Sequence, residues 1–167
     1  ESRASAHDRR VSAEAPASDL GNAVRQRMAF WSILANDQGR QWAVDVPGGP
    51  QPVGVSHRDL DVCLDALLNN VLTHTPAGTS FSVDVRPGSA GRWVLVVADA
   101  GPGLPGGAVP ARGASGGSGT GLGLDIVRRT AEGSGGQLSA GRSAEGGARI
   151  EVTFGPPAGQ DRGASPK

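Results

Sequence analysis

The sequence predicts an α+β fold: a two-layer sandwich in which helices cover one face of a mixed β-sheet. Three observations carry this. Apolar residues recur at helical spacing in three stretches, near 20–36, 57–74 and 122–131. Short runs of strand character stand between and after them, near 41–46, 80–86, 93–98, 137–140 and 148–154. Their order is helix, strand, helix, strand, strand, glycine-rich loop, helix, strand, strand. That order lacks the regular βαβα alternation of a doubly wound parallel sheet, which leaves the sandwich.

Residues 1–18, ESRASAHDRRVSAEAPAS, have no apolar periodicity and read as a disordered linker or the cut end of something larger. Ser18 or Asp19 can cap the first helix. Leu20, Val24, Trp31 and Leu34 recur at helical spacing, with Ala23, Met28 and Phe30 nearby, up to Asn36 and Gly39. Gln41–Val46 alternates like a strand and ends at Pro47-Gly48-Gly49-Pro50. Ser56 with Asp59 forms a capping box for a helix over 57–74, whose apolar stripe is Leu60, Cys63, Leu64, Leu67 and Val71.

A turn at Pro76-Ala77-Gly78 leads into a half-buried strand with Phe81, Val83 and Val85 on one face. After a second turn at 87–91, Trp93–Ala98 is apolar on both faces and reads as a central strand. Residues 101–123 then hold ten glycines, three prolines and no aromatic residue. So little can pack there that 101–119 reads as a functional lid, since structureless loops beyond about 12–15 residues are uncommon in compact domains. Helical pattern resumes over 122–131 and stops at Gly133. Two strands complete the domain at about residue 155, and 156–167 reads as a flexible tail.

Composition narrows the function. Sixteen basic and sixteen acidic residues cancel, so no global field attracts nucleic acid or an anionic membrane. The single cysteine, Cys63, excludes an intrachain disulfide framework and a multi-cysteine zinc site. No apolar run approaches the roughly 18–20 residues of a membrane span, and the start does not resemble a signal peptide. The expectation is a cytoplasmic chain without direct membrane contact. With three tryptophans, three phenylalanines and no tyrosine, the core rests on Val, Leu, Ile and Ala.

Three segments carry chemistry. In Ala66–Pro76, ALLNNVLTHTP, two amides interrupt an apolar helix. At about 100° per residue, Ala66, Asn70, Thr73 and His74 share one face, so Asn70 sits at the edge of the core. There its carbonyl oxygen can meet a hard cation such as Mg²⁺. Asn69 points about 100° away. The second segment, Ala98-Asp99-Ala100-Gly101-Pro102-Gly103, sets a carboxylate at the end of a buried strand. That carboxylate can accept from an exocyclic amine, and the glycines let a flat ring approach the backbone.

The third segment is Gly117-Ser118-Gly119-Thr120-Gly121-Leu122-Gly123-Leu124, running into a helix. Its bare N–H groups and the helix N-terminus form a phosphate cradle. A P-loop is excluded, because its lysine is absent and Lys167 is the chain's only lysine. The GxGxxG fingerprint fails too, since Leu122 and Leu124 stand at the third-glycine distance from Gly117 and Gly119.

Taken together and in this order, the segments resemble the N, G1 and G2 boxes of the ATP-binding domain of bacterial sensor histidine kinases. These belong to the gyrase–Hsp90–histidine kinase–MutL ATPase superfamily, and the resemblance spans roughly residues 19–155. It implies a Bergerat-type ATP-binding fold with ATP and Mg²⁺ as ligands. It implies that Asn70 coordinates the Mg²⁺ and that Asp99 bonds the adenine amino group, with Gly101 and Gly103 shaping that pocket. Gly119, Gly121 and Gly123, with Thr120 and Leu122 between them, match the segment that closes over the phosphates. His74 falls where relatives often place an aromatic residue or a histidine beside the nucleotide.

The pattern also departs from that family. Hydrolysing branches carry a glutamate four residues before the metal asparagine; here that position is Ala66, and Asp65 is turned off the shared face. This fits a kinase whose nucleophile is a histidine on another domain. Thr73 stands where Lys or Arg is frequent, and no phenylalanine lies between Gly103 and Gly119. Arg112 is the only cation of that stretch and so the candidate phosphate contact. His7-Asp8-Arg9-Arg10 does not look like an acceptor motif.

The implied reading is a monomeric catalytic fragment of a homodimeric kinase of a kind often membrane-borne, with residues 1–18 a linker or the truncated end of its dimerisation region. A histidine-containing dimerisation domain and a response regulator would be its partners. An anti-sigma-type serine kinase and a non-catalytic nucleotide-binding module on the same fold are the alternatives.

Overall fold

The computed structural model describes residues 15–103 and 120–159. Its main sheet has five strands in the order β2 (Trp42–Asp45), β4 (Phe81–Pro87), β5 (Trp93–Asp99), β7 (Ala148–Phe154), β6 (Gln137–Arg142). The β2–β4 pair is parallel and the other three are antiparallel, so the sheet is mixed as expected. The apolar run at 93–98 lies in the central strand.

Register explains which face is buried. Val83, Val97, Ile150 and Ala140 form one row across the sheet, and Val85, Leu95, Val152 and Leu138 form the next. Side chains alternate between faces along a strand, so both rows point the same way. They join one core with α1 (Leu20–Asp37), α2 (His57–His74) and α3 (Thr120–Gly133). The opposite face carries Ser82, Asp84, Arg149, Glu151 and Thr153, each half-buried. Asp99 shares the parity of Leu95 and Val97, which puts its carboxylate on the helix side at the end of β5.

Local chemistry fixes the helix starts. The Asp19 carboxylate accepts the Asn22 N–H at 2.9 Å and the Gln51 N–H at 3.0 Å, which caps α1 and anchors the 47–51 loop to it. The Ser56 hydroxyl accepts the Asp59 N–H at 3.1 Å to start α2. The expected α2 stripe, Leu60, Cys63, Leu64, Leu67 and Val71, is buried throughout. Each leucine there stabilises the fold by about 1.5–3 kcal/mol. Truncating Leu67 to alanine would cost about 2–5 kcal/mol once its cavity is counted.

Several details differ from the sequence reading. Leu34 and Phe30 are 41% and 53% exposed, and Met28 and Ala35 complete the buried stripe of α1 instead. A two-stranded ladder pairs β1 (Ser18–Asp19) with β3 (Pro52–Val53), which two-residue strands cannot announce by periodicity. Ser18, grouped with the linker by its sequence, is buried there and donates to the Val55 carbonyl at 2.7 Å. Pro157, grouped with the tail, is buried too. Residues 1–14 of the linker, 104–119 of the lid and 160–167 of the tail lie outside the described residues.

Candidate functional site

The C-terminal half of α2 is the element to which all three segments attach. Asn70 is 8% exposed, and no other described residue hydrogen-bonds its side chain. Its neighbour Asn69 is exposed and accepts the Thr73 hydroxyl at 3.4 Å, a surface arrangement. One turn before Asn70, Ala66 faces the start of α3. A Cβ built on Gly123 would lie 4.0 Å from both the Cβ and the carbonyl oxygen of Ala66.

Asp65, the only carboxylate near that position in sequence, is committed elsewhere. Its Oδ1 accepts from Arg27 Nε at 2.8 Å, Arg27 Nη2 at 2.7 Å and Trp31 Nε1 at 2.8 Å. These contacts join α2 to α1 and hold the carboxylate away from Ala66 and Gly123.

Asp99 is 7% exposed and tightly framed. Its Oδ1 accepts the N–H of Gly101 at 2.9 Å and of Ala148 at 3.1 Å. The Ser143 hydroxyl donates to its main-chain oxygen at 2.7 Å and accepts the Gly147 N–H at 2.9 Å. Gly101 is wedged between this carboxylate and the end of α2: a Cβ there would meet Thr75 Cγ2 at 2.6 Å and Asp99 Oδ1 at 3.1 Å. Gly103 adopts φ +85°, a conformation that excludes ordinary side chains. The second and first segments therefore meet through Thr75, and the first and third through Ala66 and Gly123.

Other expected site residues stand as follows. His74 is the exposed last residue of α2. Thr120, Gly121 and Leu122 form the first turn of α3, and their side chains lie outside the described residues. Gly119 and Arg112 also lie outside them. Among the described residues, no group of three or more His, Cys, Asp or Glu could hold a metal ion. No described helix is long and apolar enough to cross a membrane. A depression of about 470 Å³ opens beside Trp42, Asp84, Glu145 and Arg149; Asp99 lines it, whereas Asn70 and Gly101 do not.

Three contributors escaped the sequence reading: Thr75, Gly147 and Arg40. Gly147 lies against Asp99, and a Cβ there would stand 2.5 Å from Oδ1. The Arg40 guanidinium is buried behind Thr75 and donates to its hydroxyl at 2.6 Å.

Residues 56–158 match the family model of the histidine kinase-, DNA gyrase B- and HSP90-like ATPases. The chain belongs to this family. Within it, the matched span runs from the cap of α2 past the end of β7, and so takes in all three segments.

The fold of this ATPase-family domain is shared with solved structures. One is the nucleotide-free catalytic domain of histidine kinase ThkA, with a TM-score of 0.74 and 14% identity, covering 84% of this chain and 97% of that one. Another is the mycobacterial sensor histidine kinase MprB, with a TM-score of 0.68 and 24% identity, covering 84% and 99%. A third is the ATP-binding domain of PrrB from Mycobacterium tuberculosis, with a TM-score of 0.63 and 21% identity, covering 85% and 97%. No curated protein matches the sequence.

Proposed function

We propose that this ATPase-family domain is the catalytic domain of a two-component sensor histidine kinase, moving the γ-phosphoryl of ATP to a histidine on a separate dimerisation domain. The observation that carries the reading is Asn70. The residue is 8% exposed and no described residue hydrogen-bonds its side chain, and it stands on the helix that Gly123 covers one turn earlier and that Thr75 joins to Asp99.

The residues fit ATP with Mg²⁺. Asn70 would lend its carbonyl oxygen to the metal, whose remaining ligands would come from phosphates and water. Bound Mg²⁺ neutralises phosphate charge as the transfer proceeds. Asp99 would accept from the adenine amino group, while its Oδ1 stays tied to Gly101 and Ala148. Gly101 and Gly103 would leave room for the ring, with His74 at its margin. The main chain of Gly119–Gly123 would bond the phosphates, and Arg112 would add a cation there.

The reaction breaks the bond between the γ-phosphorus and the departing ADP oxygen and forms one to an imidazole nitrogen. The domain contributes positioning and charge complementarity to it. Ala66 supplies no base to activate water, and Asp65 is held by Arg27 and Trp31, so a nucleophile from another domain is favoured. The response-regulator aspartate would be the later recipient. The parent protein would be a homodimer.

Incubation with γ-labelled ATP, Mg²⁺ and a separately prepared acceptor domain tests this. Acid-labile label on the acceptor histidine is the expected result. Label on a partner's serine would indicate the anti-sigma-type kinase. Binding without transfer would indicate a nucleotide-binding module, the reading that Ala66, Thr73 and the missing phenylalanine favour.

A further inference from the structure

Arg40, between the end of α1 and the start of β2, is 4% exposed. Every group it bonds is neutral. Nε donates to Gln38 Oε1 at 2.6 Å, and Nη1 to Thr75 Oγ1 at 2.6 Å and the Thr79 carbonyl at 3.2 Å. Nη2 donates to the carbonyls of Leu72 at 3.2 Å and Thr75 at 2.9 Å. No carboxylate forms an ion pair with it among the described residues. A buried charge without a contacting counter-ion is costly. Burial lowers the guanidinium from its ordinary range, and the charge of Asp99 opposes that shift.

Part of the compensation is the end of α2, where unpaired carbonyls and the helix dipole both favour a cation. That alone would make Arg40 a helix cap. Thr75 gives it a further consequence. The hydroxyl that accepts from Arg40 also donates to the Val71 carbonyl at 2.6 Å, so the side chain is held from two sides. Its methyl group is thereby directed at Gly101, where it and Asp99 Oδ1 together leave no space for a Cβ.

We infer that Arg40 is a positioning residue of the base pocket: by fixing Thr75 it sets where the Asp99 carboxylate stands relative to the exocyclic amine of a purine. The inference rests on the reading of Asp99 as the base contact. A cap without this role would change stability and weaken all nucleotides alike. A positioning residue changes the discrimination between purines.

The test measures affinities for ATP and for ITP, which carries an oxo group in place of the amine, by calorimetry with Mg²⁺ on the full chain. Wild type should prefer ATP, and Asp99→Asn should lose that preference. Arg40→Met should lower the ATP-to-ITP affinity ratio by about tenfold, as expected when a designed hydrogen bond to substrate is misplaced. Thr75→Ser retains the hydroxyl and its two bonds but removes the methyl. It should lower the ratio in the same direction, and it decides the matter if Arg40→Met does not fold.

The inference is overturned if Asp99→Asn loses the preference while the deciding variant stays within about twofold of the wild-type ratio. Should wild type show no preference, or Asp99→Asn keep it, the base-pocket reading fails first and takes the inference with it.

Discussion

Asp99 and Ala148 are joined by a main-chain N–H to carboxylate bond of 3.1 Å, which ties the end of β5 to the start of β7. It fixes one carboxylate oxygen on the helix-covered side of the sheet, and the close approach it needs is permitted by Gly147. Any side chain at that position would displace Asp99. Gly147→Ala should therefore lower ATP affinity by more than about tenfold, since the buried acceptor is moved from its place. Gly141→Ala, where a Cβ meets nothing within 4 Å, should leave affinity at the wild-type value. Calorimetric titration of both variants checks the contrast.

Asn70→Ala separates a ligand-binding role from a structural one. The amide has no protein partner among the described residues, and alanine is the better helix former. Stability should change by no more than about 0.5 kcal/mol in urea denaturation. ATP affinity should lose its dependence on Mg²⁺. A large loss of stability with the magnesium effect intact would mark Asn70 as a packing residue.

Asp65→Ala should do the reverse. Arg27 and Trp31 lose their shared acceptor, at a cost of about 1 kcal/mol because the pair is partly exposed and water can replace it. ATP affinity should stay at the wild-type value, as measured in the same titrations. A strong fall in affinity with unchanged stability would place Asp65 in the site.

Much of the candidate site was legible because its signals are residue types at fixed spacing. Ser56 with Asp59 announced α2, the amide pair marked the edge of its buried stripe, and Asp99 closed an apolar run. The parts that were not legible use atoms every residue possesses. Three of the five hydrogen bonds of Arg40 go to main-chain carbonyls, so no partner residue betrays it in the sequence. Gly147 carries no local signal of its role, because the close approach to Asp99 spans 48 positions (147 minus 99). Leu34 and Met28 are both apolar at near-helical spacing, and only the direction of α2 decides which is covered.

Stability should fall in alkali through Cys63. Burial pushes its thiol from 9.0 up to about 12, so the folded protein keeps a proton that the unfolded chain releases. The contribution is complete below pH 9.0 and is lost as pH rises towards 12. The slope from this one group is at most about 1.4 kcal/mol per pH unit. Urea midpoints across this range should fall more steeply for wild type than for Cys63→Ala. Parallel curves would show that the thiol ionises freely in the native state.

A crystal structure with a nonhydrolysable ATP analogue and Mg²⁺ tests the central claim most directly. One nucleotide should be found with the Asn70 carbonyl oxygen on its metal, the Asp99 carboxylate on its adenine amine and the start of α3 at its phosphates. A nucleotide bound elsewhere, or a metal that Asn70 does not touch with Asp99 facing no base, would contradict it.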